Sequence, residues 1–252
     1  MNDSLKIAGF QIGPLEEGRM IELLGKLDFS DCDIVVFPER FIMDTYDNFQ
    51  KSDAYPILSE ISRGKILIAG SVLEKDNHQI YNRSHVFYDG FPVGFQDKIV
   101  PYDREKGRIG MGRIINIFRT PKLTFSVPVC YDMDFPFFAK ISTVKGATLL
   151  LNPSLIRKDF HKEWHTYIEA RVLENRIAAI SVNSRNENFA GDSVFFHTYV
   201  EDGGVRTLKV EAGDLQRFNS VFTNNGVEER RKMRIREDPA YYSFPSKEIV
   251  YE

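Results

Sequence analysis

A thiol, a carboxylate and an ammonium group each stand at the end of an apolar run in this chain. Cys130 closes Thr124-Phe125-Ser126-Val127-Pro128-Val129-Cys130, and an acidic turn and a helix-like stretch follow it. Glu39 closes Ile34-Val35-Val36-Phe37-Pro38-Glu39, and Lys98 follows Val93-Gly94-Phe95-Gln96-Asp97. The ends of buried strands are where open α/β sheets build their sites. A thiolate attacks a carbonyl or nitrile carbon far better than a thiol does, so Cys130 needs a base near it. A glutamate at an apolar strand end suits proton transfer near neutral pH. A lysine beside the pair can stabilise the thiolate and the oxyanion of a tetrahedral intermediate. The backbone N–H of Tyr131, where strand turns into helix, offers a second oxyanion donor. Taken singly, each residue also has a plainer reading. A cysteine beside a strand is usually a small buried hydrophobe, and a lone lysine is usually on the surface.

The elements that must position these groups alternate between strand and helix. Residues 6–12 and 177–183 read as strands, 34–37 is a continuous apolar run as expected for a strand covered on both faces, and 66–72 and 147–151 read as buried strands. Residues 16–27 and 54–63 carry apolar side chains at helical spacing, and 135–144 is short and helix-like. The best helix is 161–176, with Trp164, Ile168, Val172 and Leu173 on one side. Asp89-Gly90 separates two strand-like runs, 81–88 and 92–96, as a hairpin turn does. Thr120-Pro121-Lys122 separates a second pair, 114–118 and 123–129. Further strands are expected at 192–197 and 205–210. From Asp214 the periodicity weakens, and 214–252 reads as an extended C-terminal tail that must pack on something. The pattern fits an α/β fold with two sheet layers flanked by helices, or a simple doubly wound sheet.

Composition narrows the function. The 252 residues are 42% hydrophobic, enough for one large core or two small ones, and no linker-like stretch divides them, so 1–252 is expected to be a single domain. The formal net charge is −3 with charges interspersed, which argues against a nucleic-acid partner. No stretch approaches the roughly 20 apolar residues that span a bilayer, and the N-terminus lacks a signal-peptide pattern. A cytoplasmic protein without a membrane partner is expected. Two cysteines, Cys32 and Cys130, are too few for a disulfide framework. His161 and His165 lie four apart like a metal pair, but no cysteine or third histidine stands near them, so they are expected to be surface histidines and no metal is expected.

The wording around the three groups resembles the nitrilase, or carbon–nitrogen hydrolase, superfamily. Asp31-Cys32-Asp33-Ile34-Val35-Val36-Phe37-Pro38-Glu39 is similar to its glutamate block. Gly94-Phe95-Gln96-Asp97-Lys98-Ile99-Val100-Pro101 is similar to its lysine block, and Val129-Cys130-Tyr131-Asp132-Met133-Asp134-Phe135-Pro136 to its nucleophile block. Arg171-Val172-Leu173-Glu174-Asn175, Val182-Asn183 and Gly191-Asp192-Ser193 continue the resemblance downstream. The likeness runs from about residue 6 to residue 210. It implies a four-layer α-β-β-α sandwich, with Glu39 as general base, Lys98 as oxyanion stabiliser and Cys130 as nucleophile. It also implies a supporting glutamate after the lysine. Glu105 is the nearest candidate, although Asp103-Arg104-Glu105-Lys106-Gly107 reads equally well as a solvated charged loop.

By the same resemblance the chain hydrolyses a non-peptide carbon–nitrogen bond of a small amide or carbamoyl compound through a cysteine thioester, with no cofactor. Two copies or more are expected to associate. Nitrile hydrolysis or acyl transfer at the same site is the alternative, as is a catalytically silent binding protein. A papain-like protease is a weaker reading, because none of the five histidines lies in a persuasive block. Phe137 and Lys140 stand where the family usually has a glutamate and an arginine, and Ser126 where glycine is common. Loops around 41–49, 101–113, 155–160 and 184–190 are expected to shape the pocket.

Overall fold

The computed structural model describes residues 4–223, 226–237 and 245–251. Its strands form two mixed sheets. The first runs β14 (Arg217–Phe222), β1 (Leu5–Phe10), β2 (Ile34–Val36), β4 (Ile66–Ile68), β6 (Gln79–Tyr88), β5 (Val72–Asp76) and β3 (Thr45–Tyr46), with β7 (Phe91–Asp97) also paired to β6. The second runs β13 (Gly204–Glu211), β12 (Val194–Glu201), β11 (Ala178–Asn183), β10 (Leu149–Ser154), β9 (Thr124–Ser126), β8 (Ile115–Arg119) and β15 (Ser246–Val250). The helices are α1 (Glu17–Leu24), α2 (Ala54–Ile61), α3 (Pro136–Val144), α4 (His161–Asn175) and α5 (Glu228–Glu237).

The apolar runs explain the layering. Short strands such as Ile34-Val35-Val36 are buried on both faces, so alternate residues enter different cores. Ile7, Ile34, Ile66 and Val86 meet Phe125, Leu149, Leu151 and Ile180 between the sheets. Their neighbours Ala8, Val35, Leu67 and Phe87 pack outward on Met20 and Leu24 of α1 and Leu58 of α2. Leu150 and Ala179 of the second sheet pack on Trp164, Ile168 and Val172 of α4, while Phe138 and Ile141 of α3 cover Ile115 and Ile117. The result is the expected four-layer α-β-β-α sandwich.

Several elements differ from expectation. Cys130 does not sit at a strand end: β9 stops at Ser126, because Pro128 has no N–H to donate to the ladder. Leu173 lies off the apolar stripe of α4 and is exposed. Residues 214–252 contribute an element to each sheet. β14 pairs antiparallel with β1, and β15 pairs parallel with β8. Between them, α5 has no apolar stripe, which hid it from periodicity. Arg234 of α5 instead donates from Nε to the Glu174 carbonyl at 3.2 Å, satisfying an open carbonyl at the C-terminal end of α4.

The Asp89-Gly90 turn has both central residues at positive φ (48° and 85°), as a two-residue hairpin between twisted strands requires. It fixes the register of β6, which carries Asn82, against β7, which leads into Lys98. Gly70 is the other position where glycine is needed. Its φ is +51°, and a Cβ there would lie 2.0 Å from the carbonyl oxygen of Pro38, the residue before Glu39.

Gly70→Ala is therefore expected to cost about 2–4 kcal/mol of unfolding free energy, through backbone strain and a clash that cannot relax within a side chain. Denaturant unfolding checks this, and a loss below about 0.5 kcal/mol, the range of ordinary surface changes, would contradict it.

Candidate active site

The two sheets meet at the ends of β2, β7 and β10. The Glu39 N–H donates to the Ser154 carbonyl at 3.2 Å, tying the loop after β2 to the end of β10. The next residue, Arg40, adopts a φ of 53°, which reverses the chain and leaves the Glu39 carboxylate inside. Glu39 is 3% exposed and Lys98 is 1% exposed. The Lys98 N–H donates to the Asn82 carbonyl on β6 at 2.9 Å.

The side chains form a closed network around the ammonium. Lys98 Nζ donates to Glu39 Oε1 and to Glu105 Oε2, each at 2.8 Å. Asn82 Nδ2 donates to Glu39 Oε1 at 2.7 Å and to Glu105 Oε1 at 3.1 Å. Glu105 Oε2 also accepts the Tyr102 N–H at 2.7 Å, within the single turn Asp103–Glu105. Glu105 is thus pointed inward rather than solvated. Burial pushes the Lys98 ammonium toward deprotonation, but the negative groups around it outweigh that effect and hold it charged, above its ordinary range.

Cys130 opens a tight turn, Cys130–Asp134, at a φ of 45°. A non-glycine residue in this region is strained and persists only where its surroundings hold it. Two side chains do so here. Asp132 accepts N–H bonds from Ile99 at 3.0 Å, Val100 at 2.9 Å and Val129 at 3.0 Å, which join the lysine segment to the cysteine turn. Arg171 of α4 donates to the carbonyls of Met133 at 3.0 Å and Asp134 at 2.7 Å. The Cys130 sulfur then faces Glu39, Lys98 and the Leu155 N–H. Burial raises the thiol well above its ordinary value and the Glu39 charge adds to this, while Lys98 and the Leu155 N–H oppose it. The resting thiol is therefore protonated and needs a base to react.

The sulfur opens on a cavity of about 370 Å³. Tyr102 and Tyr131 form one wall, their rings 5.0 Å apart and edge to face. Leu155, Ile156 and the first two turns of α4 form another. Of the four loop regions expected around the pocket, 101–113 and 155–160 contribute lining residues and the other two do not. Phe138 packs in the core beneath α3 and does not line the pocket.

Four contributors were not singled out from sequence. Asn82 lies in a strand where polar residues also occur at 83, 84 and 85, so nothing marked it. A polar residue buried completely in a strand is the signal it leaves. Asp132 read as part of an acidic turn, Arg171 as one residue of a helix block, and the Leu155 donor is backbone.

His165 proves to be buried rather than a surface residue, and Asp192 and Glu211 lie beside it, so that one ligand-type atom from each falls within 4.8 Å of the others. Its ring is already engaged: Nε2 faces the Asp192 carbonyl at 2.8 Å, and Nδ1 faces Glu211 at 3.4 Å. Glu211 in turn is ion-paired with Lys209. These contacts account for the residue as a hydrogen-bonded core histidine.

The chain is similar to known proteins in sequence and in fold. Residues 19–208 match the family model described as Carbon-nitrogen hydrolase. The chain is 25% identical over 203 residues to the Omega-amidase NIT2 of Danio rerio, covering 73% of each chain. The crystal structure of Saccharomyces cerevisiae Nit3, a member of branch 10 of the nitrilase superfamily, shares its fold with a TM-score of 0.74 at 22% identity, over 91% of this chain and 94% of that one. A mutant of the amidase from Nesterenkonia sp. AN1 matches with a TM-score of 0.72 at 18% identity, over 95% and 94%. That structure shows covalent addition of the acetamide moiety of fluoroacetamide at its active-site cysteine.

The Asp132 staple has a pH signature. Burial pushes its carboxyl up to about 7, outweighing the three N–H donors that favour the ionised form. An unfolded aspartate titrates near about 3.9. The folded chain therefore holds this proton where the unfolded chain has released it, and the stability gained is full below about pH 4 and lost as pH rises through about 7. Asp132→Asn should remove that component from the dependence of unfolding free energy on pH. A variant with the wild-type slope between those limits would contradict the assignment.

Proposed function

The chain belongs to the carbon–nitrogen hydrolase family, and from that premise we propose that it hydrolyses a small amide or carbamoyl compound through a thioester on Cys130. The observation that carries this reading is the buried network in which Lys98 bonds both Glu39 and Glu105, with the Cys130 sulfur facing it at the floor of a cavity. The amidase-like relatives support amide substrates over nitriles.

The steps follow from the atoms. Both donors to the Glu39 carboxylate go to Oε1, which leaves Oε2 for the thiol proton. Glu39 takes that proton as Sγ attacks the amide carbon. Lys98 and the Tyr131 N–H stabilise the oxyanion, the role that preorganised donors fill in acyl transfer. The C–N bond breaks as Glu39 returns the proton to the nitrogen, releasing ammonia or an amine. Water, deprotonated by Glu39, then attacks the thioester and yields the acid and the free thiol. Glu105 acts as a positioning residue, holding Lys98 at a fixed distance and balancing its charge. A homodimer in the cytoplasm remains part of this proposal. The two free cysteines accord with a reducing compartment.

A panel of small amides, ω-amido acids and N-carbamoyl compounds, read by ammonia release, tests the reading. Cys130→Ala is expected to lower turnover by at least roughly 10³-fold on whichever compound the wild type accepts, while unfolding cooperatively as the wild type does. Turnover of Cys130→Ala near the wild-type rate would overturn the mechanism.

A further inference from the structure

The cavity over Cys130 is lined asymmetrically, and its charges point to one kind of substrate. Tyr102, Tyr131, Phe160 and Tyr167 present aromatic surface to it. Two carboxylates, Asp134 and Glu163, line the same space. Arg157 is the cation on the lining, and its guanidinium is bound to Asp159 at 3.0 Å. Lys98 lies beneath the floor, and both its carboxylate partners neutralise it.

Asp134 is the telling residue. It is half-buried, yet among the described residues no N–H or hydroxyl donates to its carboxylate. Arg171, the nearest cation, spends its bond on the Asp134 backbone carbonyl. Burial lifts the carboxyl to about 6, and the charges of Arg171 and Lys98 only partly offset this. A carboxylate left without donors at a pocket wall is costly, and a ligand cation would relieve the cost. Glu163 has a second explanation, since a carboxylate in the first turn of α4 also suits the helix dipole. Asp134 stands just before α3, but among the described residues no N–H of that helix donates to its carboxylate. Aromatic faces beside the acids favour a cation further.

We infer that the acyl part of the substrate carries an ammonium group at the end remote from the scissile bond, and that Asp134 receives it among the aromatic rings. The inference rests on the proposed amide hydrolysis at Cys130 and adds the substrate class. Asp134 lies four residues beyond Cys130 along the tight turn, and both line the same cavity. Methylenes between the amide carbon and the ammonium would bridge the two. A carboxylate-ended amide of equal length would place its charge against Asp134 and Glu163.

The experiment uses thiol reagents that differ only in charge: methyl methanethiosulfonate, its trimethylammonioethyl analogue and its sulfonatoethyl analogue. Modification rates at Cys130, separated from Cys32 by peptide mapping, are measured on the full chain. In Asp134→Asn, the cationic-to-anionic rate ratio should fall about tenfold from the wild-type ratio, as expected for loss of one nearby charge, while the neutral reagent changes little. Glu163→Gln should lower it less. An unchanged ratio in Asp134→Asn would overturn the inference while leaving amide hydrolysis intact. Should that variant fail to fold, a wild type that hydrolyses carboxylate-ended amides faster than ammonium-ended ones of equal length would overturn it. Failure of the neutral reagent to modify wild-type Cys130 would strike the hydrolase reading itself, and the inference with it.

Discussion

The site depends on one buried cation. Lys98 is 1% exposed and carries its charge into the seam between two sheets. Such a burial is tolerable only when the charge is paired and its hydrogens are bonded. Glu39 and Glu105 supply the charges, and Asn82 bridges the two carboxylates from the side. Removing one partner of a buried pair typically costs about 3–5 kcal/mol, because the remaining charge is left exposed to a medium that cannot solvate it. The network therefore locks geometry as much as it stores charge. Two glutamates, one lysine and one asparagine from four separate segments are thereby bonded to one another.

The nucleophile is held by a different device. Its backbone strain, a φ of 45°, is maintained by an acid on one side and a guanidinium on the other. Asp132 gathers the N–H groups of both the cysteine turn and the lysine segment, so the two move as one body. Arg171 fixes the far end of the turn to α4, which also supplies the pocket wall through Trp164. Trp164 is in turn oriented by its indole N–H, which donates to Ser181 at 2.8 Å. The core helix thus reaches the chemistry through two contacts.

Much of this was legible in the residues. The continuous apolar run before Glu39 announced a strand that is buried on both faces, and such strands end where sites form. The strand before Lys98 is only partly buried and was marked by the residues around the lysine instead. The Asp89-Gly90 turn was readable because its conformation needs those residue types. What was hidden had physical reasons. Asn82 acts through burial, which a polar strand segment does not reveal. Glu105 sits among three other charged residues, Asp103, Arg104 and Lys106, and only the fold turns it inward. β14 alternates buried and exposed residues over Arg217–Phe222, but Ser220 at a core position weakened the pattern. α5 is held by Arg234 on the Glu174 carbonyl of α4 and Arg231 on the Arg176 carbonyl just beyond it, rather than by an apolar face, so periodicity had nothing to detect.

The central claim is that the Cys130 sulfur becomes acylated during carbon–nitrogen bond cleavage. Rapid-quench mass spectrometry during the first turnover with an accepted amide tests it most directly. The account predicts a transient adduct of the acyl mass on the peptide holding Cys130, rising with the first equivalent of ammonia and absent from Cys32. Release of that equivalent with Cys130 unmodified at every time point would contradict it.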